Sequence, residues 1–299
     1  MSQHLPLWID PHIHLFALSE GQYHWLKPSN MPFWPDKSAI AKNTAENDLL
    51  RAARGQLAGF VHIEAGFDNQ RPWREIAFLE RHCTLPFRSV ACIDLTSNDV
   101  GSHIDKLKTY SSVRGLRHIL DDDASSLLRR PDVQWGLRHM AARGLSFDAQ
   151  FDLADSHAVR SLLYVLEREP TLRIVVNHCA VAPLSTTHLA FKMWRNNLRY
   201  LAETGQVAFK FSGLEMQERN WQWPRASFVL NTLLETVEIS QLMFASNYPL
   251  CQWRMPYEKL WQGYLDITAP LSEEQKAALF SLNAKHWYDI VDAYTSPHR

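Results

Sequence analysis

Short apolar runs recur along the whole chain, and longer amphipathic segments separate them. The runs are rich in Val, Ile and Phe and are mostly apolar on both faces, which is typical of parallel strands buried on both sides. They predict eight strands, at residues 7–15, 57–65, 87–95, 115–120, 144–150, 172–179, 207–214 and 242–248.

The amphipathic segments predict eight helices, at about residues 37–55, 71–82, 99–111, 131–143, 156–169, 184–205, 224–240 and 272–292. Ser272 with Gln275 forms a capping box, and Gly55, Gly144 and Gly205 lie where helices commonly end. Eight alternating pairs over 299 residues favour a (β/α)8 TIM-type barrel, with residues 1–299 as a single domain. A doubly wound open sheet is the alternative, but no Gly-rich turn follows the first strand.

Charge and composition exclude several classes of function. The 31 basic and 32 acidic residues nearly cancel, so nothing in the charge favours nucleic acid or an anionic membrane. The first residues lack the basic and apolar regions of a signal peptide, and no apolar run is long enough to span a membrane. Four widely spaced cysteines are best interpreted as reduced thiols in a cytoplasmic protein: Cys83, Cys92, Cys179 and Cys251.

Polar residues gather toward the C-terminal end of nearly every predicted strand. This end of a (β/α)8 barrel is where active sites are built, and polar groups are costly to bury without a purpose. The residues, in strand order, are Asp10, His12, His14, His62, Glu64, Asp94, Arg117, His118, Asp148, Gln150, Asn177, His178, Lys210, Ser212, Ser246 and Asn247. The pattern predicts a site at this rim.

His12 and His14 form the most specific pair in that set. Residues two apart in a strand face the same side, so both imidazoles are aimed at one point. Such a pair can ligate a zinc-like cation or donate jointly to a carbonyl oxygen. Structural histidines bonded to neighbours are the plainer interpretation, and His178, from the other side of a closed barrel, favours the functional one.

The order of the motifs "IDPHIHLF", "FVHIEAG", "RGLRHIL", "LRIVVNHCAVAP", "FKFSGL", "FASNYPLC" and "NAKHWY" resembles the lactonase-like branch of the amidohydrolase superfamily. That branch contains sugar-lactone hydrolases, such as L-fuconolactonases and L-rhamnonolactonases, and the 2-pyrone-4,6-dicarboxylate lactonases. The resemblance extends from Ile9 to Tyr288. It implies a distorted (β/α)8 barrel that hydrolyses esters within rings.

The resemblance also assigns residues. His12 and His14 match the strand-one pair, and His178 matches the strand-six histidine. Some members of the branch bind a divalent ion at these histidines, while others polarise the lactone carbonyl without one, so we expect one zinc ion or none. Arg117 and His118 match substrate contacts. Lys210 is expected to be either a rim cation or the partner of a nearby carboxylate.

Asn247 departs from the family pattern, in which an aspartate at this position is the general base for the attacking water. An amide forms hydrogen bonds but takes no proton at neutral pH. Three interpretations follow. Glu64 or His178 serves as the base; the protein only binds a ring-shaped ligand; or the amide is an engineered substitution. Asn177 similarly replaces a common aspartate, which weakens a cationic metal site.

The loops after the predicted strands supply aromatic side chains. Tyr23 and Trp25 follow the first strand and Tyr257 follows the eighth, and aromatic walls suit a flat, ring-shaped substrate. Packing of the loops onto the barrel is the alternative. We therefore expect a lactone hydrolase with a small-molecule substrate, alone or as a homodimer. A metal-dependent decarboxylase and a non-catalytic binding protein are the alternatives.

Overall fold

The computed structural model describes residues 7–185 and 189–291. Within them, eight parallel strands form one sheet in sequence order from β1 to β8. The strands are β1 (Trp8–Ile13), β2 (Leu57–Ile63), β3 (Phe87–Cys92), β4 (Val113–Ile119), β5 (Ser146–Gln150), β6 (Ile174–Val176), β7 (Val207–Phe211) and β8 (Leu242–Phe244). The predicted (β/α)8 barrel is confirmed. The doubly wound alternative is wrong, because its strand order would reverse within the sheet.

The barrel is nearly closed between its last and first strands. No full ladder joins them; a single bridge pairs Ile13 with Tyr248. Beyond it, the Asn247 backbone N–H donates to the His12 carbonyl at 3.0 Å, and the His14 N–H donates to the Tyr248 carbonyl at 2.7 Å. The closure therefore brings the polar end of β8 directly against the two histidines of β1.

The helices alternate with the strands and surround them. They are α1 (Glu46–Ala53), α2 (Trp73–His82), α3 (Val100–Lys108), α4 (Ala124–Leu127), α5 (Pro131–Ala142), α6 (Ser156–Arg168), α7 (Leu189–Ala202), α8 (Leu214–Gln217), α9 (Trp223–Thr236), α10 (Tyr257–Ile267), α11 (Glu273–Ala277) and α12 (Asn283–Tyr288). The capping box at Ser272 is present and opens α11.

Three helix predictions need correction. The first helix begins at Glu46, because residues 37–39 form only one tight turn. The helix α10 was not predicted at all. The last helix is divided by a wide turn at Ala278–Leu282 into α11 and α12. Residues 186–188 and Asp292, which the predicted helices include, lie outside the described residues.

The apolar core has an outer and an inner part. The outer part lies between strands and helices, as Trp8, Tyr257 and Trp261 illustrate. The inner part lies within the barrel, where apolar strand residues meet Trp287 and Tyr288 of α12. Since α12 contacts the inner residues of the strands, it closes one end of the barrel and leaves the carboxyl ends of the strands for a site. No helix in the described ranges is both long and apolar enough to cross a bilayer.

Candidate active site

A register irregularity in β1 separates its acid from its histidines. The pairing of β1 with β2 shifts between Asp10 and Ile13. Asp10 is directed at the helix layer, where its Oδ2 accepts from the Tyr257 hydroxyl at 3.0 Å. His12 and His14, by contrast, lie together, with ring centroids 5.1 Å apart. The strand thus places the predicted histidine pair in the candidate site but directs Asp10 away from it.

His178 completes a group of three imidazoles. Its ring centroid is 4.4 Å from that of His12. Four consecutive residues, His178, Cys179, Ala180 and Val181, have φ between 52° and 56°. Non-glycine residues rarely adopt this left-handed region, and such strain concentrates at functional sites. Because the chain turns in this way directly after β6, the imidazole reaches across to β1.

The neighbouring β7 loop is shaped to receive the His178 ring. The Ser212 hydroxyl lies 3.1 Å from His178 Nδ1. Gly213 has φ +69°, and a Cβ there would lie 2.3 Å from the same nitrogen. Only glycine leaves room for this contact. At the predicted strand end, Ser212 thus hydrogen-bonds the His178 ring and Gly213 leaves space for it.

Lys210 lies inside the barrel rather than at its rim. Its ammonium donates to Asp148 Oδ2 at 2.7 Å, and both side chains are fully buried. The Tyr288 hydroxyl donates to the same carboxylate at 2.8 Å. Lys210 Nζ also lies 3.5 Å from His12 Nδ1. This corrects the rim position and substrate contact expected for Lys210, and leaves the carboxylate pairing that was the alternative.

Burial and nearby cations keep the three imidazoles neutral. Burial, followed by the Lys210 charge, lowers the pKa of His12 well below its usual range. Burial and the Arg117 charge do the same to His14, and they lower the pKa of His178 to about 3. A neutral imidazole has one donor and one acceptor nitrogen.

The hydrogen bonds assign the tautomers of His12 and His14. The Lys210 ammonium can only donate, so His12 Nδ1 accepts and Nε2 carries the proton. His12 Nε2 is buried without a partner among the described residues. His14 Nδ1 lies 2.9 Å from the Ile63 carbonyl and must donate to it, so its Nε2 is an acceptor. His12 Nε2–H is therefore an unused buried donor in the site.

Arg117 and Glu64 form a buried ion pair beside the histidines. Arg117 Nε donates to Glu64 Oε1 at 2.9 Å, and Nη2 approaches the same oxygen to 2.7 Å. Arg117 Nη1 donates to Gln150 Oε1 at 3.3 Å. Glu64 Oε1 is thus occupied by the Arg117 guanidinium.

Asn247 contacts a carboxylate that the sequence patterns did not single out. Its Nδ2 donates to Glu215 Oε1 at 2.7 Å, and both side chains are buried. Burial raises the pKa of Glu215 to about 7. Asn247 Oδ1 has no partner among the described residues. Glu215 follows β7 in "FSGLE", directly in α8, and only its position in that strand-end motif could have drawn attention to it.

Several predicted substrate contacts lie elsewhere. His118 faces away from Arg117, as alternation in a strand requires, and its Nδ1 accepts from the Leu95 N–H at 3.1 Å. The Tyr23 hydroxyl accepts from the Ala17 N–H at 2.9 Å within a buried cluster. Tyr257 is buried between Trp8 and Asp10. These three side chains are thus engaged by other parts of the protein, and their contact with a substrate stays a prediction.

Trp25 keeps a position suited to the rim. It is partly exposed, and its Nε1 donates to the Ala65 carbonyl at 2.7 Å, one residue after Glu64. Its ring packs edge-on against Trp34, 6.1 Å away. Of the three aromatic residues predicted to contact substrate, only Trp25 presents surface near the carboxyl ends of the strands.

The side chains present do not fit the zinc ion expected at His12, His14 and His178. Across residues 7–185 and 189–291, no group of three or more His, Cys, Asp or Glu side chains is placed to hold a metal ion. Lys210 and Arg117 also add positive charge beside the imidazoles, which opposes a dication. Neutral imidazoles alone would suit zinc, but their arrangement here does not.

Similarity to known proteins agrees with this architecture. A family model described as amidohydrolase matches residues 9–290. The chain belongs to the amidohydrolase family. The protein y4mH of Sinorhizobium fredii, described as uncharacterized, is 31% identical over 94% of this chain and 98% of its own length. The L-fucono-1,5-lactonase of Burkholderia ambifaria is 24% identical over 92% of this chain and 96% of its own.

A solved amidohydrolase structure supports the barrel fold. The amidohydrolase from Burkholderia multivorans, crystallised with bound Zn, superimposes with a TM-score of 0.80 at 20% sequence identity. The superposition covers 95% of this chain and 100% of the Burkholderia multivorans chain. These amidohydrolase relatives, with the lactonase among them, confirm the lactonase-like resemblance that the strand-end motifs indicated.

Proposed function

We propose that this amidohydrolase opens a small lactone, a sugar lactone or a pyrone-type ring ester, by attack of water at the carboxyl ends of the strands. The observation that carries the proposal is the unpartnered, buried Nε2–H of His12 between His14 and His178. The similarity to an L-fucono-1,5-lactonase supports the choice of substrate class.

The proposed site polarises the ester carbonyl through side-chain donors. Ester hydrolysis develops negative charge on the carbonyl oxygen, and fixed donors at that point lower the barrier. His12 Nε2–H is such a donor, and Lys210 holds it in the donor tautomer. Arg117 adds positive charge nearby, as its effect on the pKa of His14 and His178 indicates. Trp25 offers a flat apolar surface for the ring.

The two alternative functions have weaker support. A metal-dependent decarboxylase needs a metal site, and the imidazoles are not arranged as one among the described residues. A binding protein without activity would follow from Asn247 if no other proton acceptor lay close to it. The small-molecule substrate belongs to this proposal, while a cytoplasmic location and a homodimer stay predictions.

The test is hydrolysis of a panel of sugar 1,4- and 1,5-lactones, including L-fucono-1,5-lactone, and of 2-pyrone carboxylates. The rate of hydroxy-acid formation is measured against the uncatalysed rate. We expect turnover of at least one ring ester, reduced about 10²–10³-fold in His12→Asn through loss of one oxyanion donor.

His286→Asn is the matched control, since it makes the same substitution on an exposed residue of α12, at the opposite end of the barrel. It should leave turnover unchanged. Absence of hydrolysis of every lactone by both the wild type and Asn247→Asp would reject the proposed function.

A further inference from the structure

We propose that Glu215 is the general base of this enzyme, and that it has taken over, from the loop after β7, the task that the end of β8 cannot perform with Asn247. The inference rests on the proposed lactone hydrolysis. The observation behind it is the 2.7 Å hydrogen bond from Asn247 Nδ2 to Glu215 Oε1.

The amide and the carboxylate together can hold one water molecule. Asn247 Oδ1 is buried without a partner among the described residues, and the Glu215 carboxylate is bonded to the same side chain through Oε1. The amide oxygen and the carboxylate are both acceptors, so one water can donate a hydrogen to each. Its lone pairs are then directed away from these acceptors. In this arrangement Asn247 positions the water and Glu215 accepts its proton.

The position of Asn247 links this water to the oxyanion donor. Asn247 has φ +64°, a left-handed conformation that asparagine tolerates, and its N–H donates to the His12 carbonyl at 3.0 Å. Asn247 therefore bonds Glu215 through its side chain and the His12 carbonyl through its backbone. Attacking water and polarised carbonyl are thus brought together by one residue.

The surroundings of Glu215 give its carboxyl the affinity for protons that a base needs. Burial is the main cause of its raised pKa, and the Asn247 hydrogen bond and the Arg219 charge oppose it. Arg219 donates to the Glu215 backbone carbonyl and pairs with Asp36 through its Nε at 2.6 Å. The Glu215 charge in turn contributes to raising the pKa of three neighbouring groups, Cys179, Cys251 and Tyr264. A base whose pKa lies near the working pH is deprotonated in a large fraction of the molecules, and it still binds a proton strongly enough to favour proton transfer from water.

The proposed step balances as follows. Glu215 takes one proton from water while the water oxygen forms a bond to the lactone carbonyl carbon, and the carbonyl electrons move to the oxygen held by His12. When the tetrahedral intermediate collapses, the ring C–O bond breaks. The protonated Glu215 returns its proton to the leaving alkoxide. The net change is lactone plus water to hydroxy acid, and no other reactant is needed.

The two bases suggested by the sequence fit less well. Glu64 is held by two nitrogens of Arg117. His178 has a pKa lowered to about 3, mainly by burial, so it accepts a proton poorly at neutral pH. Glu215 is the carboxylate that contacts the position of the missing aspartate.

The experiment compares wild type, Glu215→Gln, Asn247→Asp and the double variant on the lactone panel, with kcat/KM measured from pH 5 to 9. Glu215→Gln should lower kcat/KM about 10²–10⁴-fold, the usual contribution of a positioned base. The double variant should recover at least about tenfold of that loss, because it returns a carboxylate to position 247. Glu218→Gln, an exposed carboxylate on the same loop, is the matched control and should stay at the wild-type rate.

Wild type alone supplies a readout that needs no variant to fold. Its kcat/KM should fall about tenfold per pH unit below the Glu215 pKa of about 7. A flat profile between pH 5 and 8, or Glu215→Gln activity within about threefold of wild type, overturns the role of Glu215 while lactone hydrolysis stands. Activity in Asn247→Asp but not in wild type also overturns it. No hydrolysis by either removes the proposed function itself.

Discussion

Lys210 Nζ lies 3.5 Å from Nδ1 of His12 and 2.7 Å from Oδ2 of Asp148, so one buried ammonium connects an acid below it to an imidazole of the site. Burial lowers the pKa of Lys210 to about 8, while Asp148 opposes that change. At neutral pH the ammonium can only donate, and it therefore fixes which nitrogen of His12 faces the substrate.

Lys210→Met should separate stability from catalysis. It leaves the Asp148 carboxylate buried without its cation, which typically costs about 3–5 kcal/mol of unfolding free energy. Urea denaturation at pH 7 measures this loss. Lys210→Met/Asp148→Asn should recover most of the stability but not the activity, because His12 still lacks its donor. Recovery of turnover together with stability would contradict the positioning role of Lys210.

Glu64→Gln tests whether Glu64 acts as a base. A glutamine oxygen can still accept from Arg117, so we expect kcat to stay within about threefold of wild type across pH 6–8, well short of the loss that removing a base causes. Lower stability is expected, since the buried Arg117 charge loses its counterion. The measurement is a steady-state pH profile beside that of Glu215→Gln. A larger loss in Glu64→Gln than in Glu215→Gln would identify Glu64, directly after β2, as the base.

The pH dependence of stability reports Glu215 without any substrate. Its folded pKa is about 7 against an ordinary 4.5, so between these values the folded protein binds more protons than the unfolded chain. The contribution of Glu215 to stability is therefore complete below about pH 4.5 and is lost as pH rises through 7.

Glu215→Gln removes this titration. Relative to wild type, the variant should gain unfolding free energy between pH 5 and pH 8, by up to about 3 kcal/mol, since each pKa unit corresponds to about 1.4 kcal/mol. Denaturant titrations at the two pH values measure the difference. Glu218→Gln should show no such change, and an equal difference in both variants would contradict a raised pKa at Glu215.

Metal removal should leave the enzyme working. The imidazoles are not grouped as a metal site in the described part of the chain, and Lys210 lies beside one of them. We therefore expect dialysis against a chelator to change kcat by less than about twofold, well below the contribution of one transition-state donor. Elemental analysis of the purified protein should give well under one zinc per chain. Loss of activity that added zinc restores would contradict the side-chain mechanism.

The structure also corrects particular expectations in ways that share one physical cause. His118 and Arg117 are adjacent in β4, so alternation sends them to opposite faces, and only Arg117 reaches the site. Tyr257 was expected in a loop but begins α10 and binds Asp10 in the helix layer. In both cases the polar residue was visible in the sequence, but the side of the sheet on which it lies was not.

The amino-acid sequence by itself determined the barrel, the position of its rim and the meeting of His12, His14 and His178. Apolar runs at the spacing of alternating strands and helices admit few packings, and parallel strands align their carboxyl ends. Tertiary structure alone decided that Lys210 is buried under His12 and that Glu215 contacts Asn247. The residues of these pairs are 198 and 32 positions apart in the sequence. The contacts therefore depend on how β7 and the loop after it are placed in the folded chain, which no local sequence pattern shows.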